Sequence, residues 1–156
     1  MEIDLPDVHA ELSAVFERYE RALVANDTGT LDALFWASPL TVRYGIAESH
    51  QGIEAIRAYR ASQPAIAMER RLVRTVITTY GRDFATAVTE FVRPAFEHGG
   101  ELRQIGRQSQ TWCRTTGPGP DGWRVVSAHV SVIDHPSPAA GHRPPPPEAP
   151  REKEAP

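Results

Sequence analysis

From Val8 onward the apolar positions Val8, Leu12, Val15, Phe16, Tyr19, Ala22 and Leu23 recur at helical spacing, which predicts an amphipathic helix with Tyr19 on its buried stripe. Asn26 and Asp27 end it. Asp27 or Thr28 can cap a short second helix carrying Leu31, Leu34, Phe35 and Trp36. Ser38-Pro39 stops that helix, because the residue before a proline avoids the α region. A short β-type stretch from Thr41 to Gly45 and a polar loop through Glu48 and His50 follow. Gly52 then opens a third helix with Ile53, Ile56 and Tyr59 on its apolar face, and Pro64 closes it.

Beyond Pro64 the period changes to that of strands. The stretches Arg71 to Tyr80, Arg82 to Arg93, Arg103 to Thr115 and Trp123 to Ile133 are rich in Val, Ile, Thr and aromatics, and glycine-bearing turns separate them. Helices first and hairpin-linked strands afterwards predict a segregated α+β fold rather than a parallel βαβ sheet. No glycine-rich turn joins a strand to a helix, so neither a dinucleotide site nor a P-loop is expected. Strands this long in so small a domain imply a bent, coiled sheet that wraps the helices and encloses a cavity.

The chain has 156 residues, 40% of them hydrophobic and 24% charged, which suits one globular domain. More than half of its 14 prolines lie after His135, whereas every aromatic lies at or before Trp123. The folded domain is therefore expected over residues 1–135, with 136–156 a proline-rich, disordered tail without assigned function. No apolar run is long enough for a membrane span, and the acidic start Met1-Glu2-Ile3-Asp4 does not read as a signal peptide, so a cytoplasmic protein is expected. Cys113 is alone and reads as an inert, half-buried thiol. A net charge of -3 gives no reason to expect nucleic acid. All 17 basic residues except Lys153 are arginines, which removes Schiff-base chemistry and a Walker lysine from the domain and gives Arg70, Arg71 and Arg74 no special weight as a patch.

Standard catalytic signatures are absent, and no pair of histidines has helical i,i+4 spacing, so neither a metal nor a cofactor is expected. Three polar features at apolar positions stand out. Tyr19 is either a core tyrosine bonded to a backbone carbonyl or a functional phenol. Arg43 sits in an apolar stretch, where its guanidinium needs a carboxylate such as Glu48 or Glu90, or else an anionic ligand. The alternating polar faces of the last two strands, with Gln108 and Gln110 on one and Ser127, His129 and Ser131 on the other, suit solvent, a dimer interface or a pocket.

The words Phe16-Glu17-Arg18-Tyr19-Glu20, Thr41-Val42-Arg43-Tyr44-Gly45, Gly106-Arg107-Gln108-Ser109-Gln110-Thr111-Trp112 and Gly122-Trp123-Arg124-Val125-Val126-Ser127-Ala128-His129 carry a resemblance. So do Leu31-Asp32-Ala33-Leu34-Phe35-Trp36, Ala55-Ile56-Arg57-Ala58-Tyr59-Arg60 and Gly81-Arg82-Asp83-Phe84-Ala85-Thr86-Ala87. In this order, over roughly residues 5–133, the chain resembles the AtzH-like family of the NTF2-like, SnoaL-like superfamily, whose members occur beside amidases of oxalurate and s-triazine breakdown.

The resemblance implies an NTF2-like cone, N-terminal helices packed on a curved antiparallel sheet, assembled as a homodimer. It also implies a cofactor-free, decarboxylating amidohydrolase acting on a small anionic carboxylated urea such as 1,3-dicarboxyurea and giving allophanate, in functional association with an amidase. The family's proposed catalytic tyrosine and arginine fall on Tyr19 and Arg43, with Phe35, Trp36, Gln108 and His129 as weaker substrate-binding candidates. Arg43 would hold a carboxylate bidentately and polarise the adjacent carbonyl, while Tyr19 would pass a proton to or from the departing nitrogen or an attacking water. Two alternatives stay open, a non-catalytic dimeric protein that binds a small carboxylate or supports an amidase, and a SnoaL-like isomerase or hydratase.

Overall fold

The computed structural model describes residues 1–117 and 119–135. The proline-rich segment 136–156 lies outside the described residues. Helices α1 (Pro6–Ala25), α2 (Thr28–Leu34) and α3 (Ile53–Ser62) share the N-terminal part with two short strands, β1 (Val42–Tyr44) and β2 (Ser49–Gln51). Then come β3 (Arg71–Tyr80), β4 (Phe84–Val92), a two-residue pair β5 (Glu97–His98) and β6 (Glu101–Leu102), and the long strands β7 (Gln104–Arg114) and β8 (Trp123–Asp134).

The helix boundaries follow local chemistry. Pro6 opens α1, where a missing N–H costs nothing, and Asn26 closes it at φ 54°, a left-handed conformation that asparagine tolerates. Asp27 caps α2 by accepting from Thr30 N at 3.0 Å. The second helix is shorter than its apolar pattern suggests, because Phe35 is already extended and bridges Val125 of β8.

Six strands form one sheet in the order β2-β1-β8-β7-β4-β3. Its long strands are antiparallel as expected, but the sheet is mixed, since β1 runs parallel to β8 with Arg43 opposite Ala128. The reason is connectivity: β1 reaches the sheet from α2 rather than through a hairpin, so no turn forces it antiparallel. The polar stretch around His50, expected as a loop, is strand β2. A turn with Gly45 N donating to Glu48 O at 2.8 Å closes that hairpin, and the edge position tolerates polar side chains on both faces.

The stripe of α1 (Val8, Leu12, Val15, Phe16, Tyr19, Ala22) is buried against Phe35, Ile56, Trp112, Trp123 and Val125. Each fully buried aliphatic such as Leu12 contributes about 1.5–3 kcal/mol of transfer free energy. Gln108, Gln110 and Trp112 share the concave, helix-facing side of β7, and both glutamines are only 2% exposed. The alternating residues Arg107 and Ser109 face outward, and Ser109 pairs with the exposed His129. Bulges between Leu72 and Arg74 and between Thr111 and Trp112 sharpen the curvature. No helix among the described residues is long and apolar enough to cross a membrane.

Gly106 shapes the concave face. A Cβ at this position would overlap the ring of Phe91 on the neighbouring strand. Gly106→Ala must therefore displace a buried ring, at a cost of about 1–3 kcal/mol typical of overpacking. Chemical denaturation measures it; a midpoint equal to that of the wild type would show that the ring can move freely.

Candidate active site

Three consecutive residues of α1 begin the site. Arg18 faces outward, Tyr19 points into the core at 6% exposure, and Glu20 lies at the border between them. Glu20 receives Arg70 in a fork: Nε donates to Oε2 at 3.0 Å and Nη2 to Oε1 at 2.5 Å. The remaining nitrogen, Nη1, donates to Gln108 Oε1 at 2.9 Å, and Gln108 Nε2 donates to the Tyr19 hydroxyl oxygen at 3.2 Å. This order fixes the amide. With its carbonyl held by a cation, Gln108 presents N–H to the phenol, and the phenolic proton is left to point elsewhere. Arg70 also lies 4.3 Å over the ring of Phe91, the residue that Gly106 accommodates. Burial pushes the Glu20 carboxyl above the ordinary glutamate range despite the opposing charge and hydrogen bonds of Arg70.

Arg43 enters from β1. Its Nη1 donates to Glu48 Oε1 at 2.9 Å across the β1–β2 turn, with the two side chains 22% and 21% exposed. Gly45 makes this possible, because a Cβ there would occupy the space of the Glu48 carboxylate. The guanidinium stands 5.2 Å from the ring of Tyr59 on α3, which in turn lies 4.5 Å from the His50 ring. Partial burial raises the Glu48 carboxyl, but hydrogen bonds from Arg43, the Ala47 N–H and Tyr59 outweigh it and hold the group below its usual range. The Tyr59 phenol is pushed up, first by burial and then by Glu48. Of the two carboxylates expected as partners, Glu48 takes the arginine, and it engages one nitrogen of a partly accessible fork.

Tyr19 and Arg43 line one partly enclosed cavity of about 190 Å³. Gln108, Glu48, Tyr59, Arg70, Phe91 and Arg93 also line it, together with an aliphatic wall that includes Leu23, Ile46, Met68 and Val130. The other weaker candidates lie elsewhere. Phe35 packs behind Tyr19, with ring centroids 6.5 Å apart and the Arg60 guanidinium 4.4 Å from its ring centroid, and Trp36 lies outside the cavity wall. His129 sits on the outer face of the sheet beside Ser109 and Ser131. Sequence reasoning did not single out Arg70, Arg93 or Tyr59. Tyr59 reads as one more residue of an apolar helix face, and the arginines are hidden in an arginine-rich chain. Among the described residues no group of three or more His, Cys, Asp and Glu side chains is arranged to hold a metal ion.

Helices seated in a curved sheet with a small cavity between them define the NTF2-like class. A superfamily member from Salmonella enterica serovar Typhimurium shares this fold, with a TM-score of 0.63 at 23% identity over 86% of this chain and 97% of its own. The AtzH-like family model matches residues 1–136, and the chain belongs to the AtzH-like family. A cystatin-like fold protein of Burkholderia xenovorans is 50% identical over 87% of this chain and 99% of its own, with a TM-score of 0.78. A DUF3225-family protein of unknown function from Pectobacterium atrosepticum is 48% identical over 84% of this chain and 94% of its own, with a TM-score of 0.74. No curated protein matches the chain.

Proposed function

We propose that the protein is a cofactor-free amidohydrolase that decarboxylates a small carboxylated urea of the 1,3-dicarboxyurea type to allophanate. The reading is carried by one observation: Tyr19 of α1 and Arg43 of β1, far apart in sequence, line the same small cavity. In the reaction the C–N bond to a terminal carboxyl group breaks, its electron pair passes to nitrogen, and carbon dioxide leaves. Arg43 polarises the urea carbonyl, which stabilises that electron pair as it develops. Tyr19, its oxygen already accepting from Gln108, gives its proton to the nitrogen and regains one from solvent. A dianion plus one proton thus yields the allophanate anion and carbon dioxide.

The small size of the cavity favours this reading over a SnoaL-like isomerase. About 190 Å³ lies below the ~300–1,000 Å³ of drug-sized sites and suits a small substrate. Binding without turnover is the second reading, favoured by the engagement of Arg43 with Glu48 in the free protein. The exposed Val76, Phe84, Val88 and Ile133 support a homodimer. Functional association with an amidase rests on the family relationship.

The test is to follow 1,3-dicarboxyurea and allophanate by carbon-13 NMR with the full chain present. Acceleration over buffer is expected, with Arg43→Ala losing it and binding malonate roughly 10–150-fold more weakly, as expected when a charged hydrogen bond worth ~1.5–3 kcal/mol is removed. Wild-type protein that binds malonate without accelerating the reaction would favour the second reading. Unchanged malonate affinity in Arg43→Ala would remove Arg43 from the site.

A further inference from the structure

The charges around the cavity do not cancel. Of the three arginines in its wall, Arg70 is neutralised from behind by the fork of Glu20, and Arg43 by Glu48. Arg93 has no counterpart: among the described residues its side chain makes neither an ion pair nor a hydrogen bond, and its Nε is buried without a partner. The groove on the other side of Arg93, shared with Arg70 and Met68, contains Glu69 and Glu97, and neither pairs with it.

A buried N–H donor without an acceptor costs about 1–3 kcal/mol, and more when the group is charged. Arg93 lines the cavity, so an anion bound there can supply the countercharge that the protein itself leaves out. The position is fixed by local structure. Arg93 follows β4 immediately, in an extended conformation at φ -133° and ψ 155°, and its carbonyl is tied down by Phe96 N at 2.9 Å. Its backbone therefore does not wander, and the inward Phe91 two residues earlier supports the same wall.

We propose that Arg93 is the second anion anchor of the cavity, holding the substrate carboxylate that is retained in the product and so selecting compounds with two anionic ends over those with one. The assignment rests on the carboxyurea reading for its substrate, but on the unpaired guanidinium for its site. The division of labour is chemical. A tight grip on the carboxyl group that leaves would stabilise the ground state and slow its loss, whereas a grip on the far carboxylate orients the molecule without that penalty.

Malonate, a stable dianion, and acetate are suitable probes for calorimetric titration of the full chain. Wild type is expected to bind malonate at least ~10-fold more tightly than acetate, the value of one charge-assisted contact. Arg93→Gln should abolish that preference while leaving acetate affinity within about twofold, and Arg93→Lys should retain part of it. A selectivity unchanged in Arg93→Gln overturns the assignment while leaving the carboxylate cavity intact, provided Arg43→Ala still weakens both probes. Failure of wild type to bind either probe overturns both. The wild-type protein gives a readout that does not depend on folding of the glutamine variant. The Arg93 Nε–H resonance, assigned by its absence in Arg93→Lys, should move on malonate titration, and a resonance that stays still overturns the assignment.

Discussion

Tyr19→Phe is expected to lower turnover of a carboxylated urea by ~10²–10⁴-fold, the typical worth of one positioned proton donor. Malonate affinity should stay nearly unchanged, because the ring and its neighbours Phe16, Phe35 and Trp112 remain. The variant also strands the Gln108 amide, whose Nε2 donates to the lost hydroxyl, at a cost of about 1–3 kcal/mol of stability. The two effects are separable. A structural tyrosine predicts the stability loss with activity per folded molecule retained, whereas a catalytic one predicts that kcat collapses in protein that is fully folded at the assay temperature. Steady-state kinetics beside a melting curve decide it, and unchanged kcat in folded Tyr19→Phe would withdraw the proton-donor role.

Much of the scaffold of this site was legible in the chain. The helical stripe through Tyr19 follows from spacing alone, and Arg43 declares itself by standing in an apolar stretch that cannot bury an unpaired charge. The two glycines of the family words acquire reasons in the structure, since Gly45 makes room for the Glu48 carboxylate and Gly106 for the Phe91 ring. The parallel pairing of β1 was not legible, because strand direction at a sheet edge depends on where a helix delivers the chain.

Side-chain direction across neighbouring strands was harder still. Gln108 and His129 each sit on the polar set of an alternating strand, but alternation within one strand does not say which set meets the helices. The register Ser109 to His129 decides it and sends His129 outward while Gln108 turns in. Arg70 and Glu20 illustrate the other limit. Arg70 lies between Pro64 and β3 in a stretch with neither helical nor strand period, and its partner is distant in sequence. Only the closed fold brings them together, and the abundance of arginine removes the hint that a lone buried cation would otherwise give.

Arg70→Met is expected to be the most destabilising single change in the site. The Arg70 side chain is 3% exposed and Glu20 12%, so removing the guanidinium leaves a carboxylate enclosed without its countercharge. Breaking a buried pair in this way costs about 3–5 kcal/mol, which for a domain of this size lowers Tm by roughly 12–20 °C. The exposed pair Arg82–Asp7, with both side chains about 60% accessible, provides the contrast: Arg82→Met should leave Tm almost unmoved. If the loss arises from the stranded charge rather than from lost packing, Glu20→Gln/Arg70→Met should recover most of it, since a buried pair contributes little beyond what an uncharged replacement offers. Activity should not recover with it. Without the guanidinium on its carbonyl, the Gln108 amide is free to turn, and the N–H that orients Tyr19 is no longer held in place. A double variant that regains Tm but turns over substrate slowly would separate the two duties of Arg70, whereas a single variant costing under about 1 kcal/mol would show that Glu20 finds solvent or another donor.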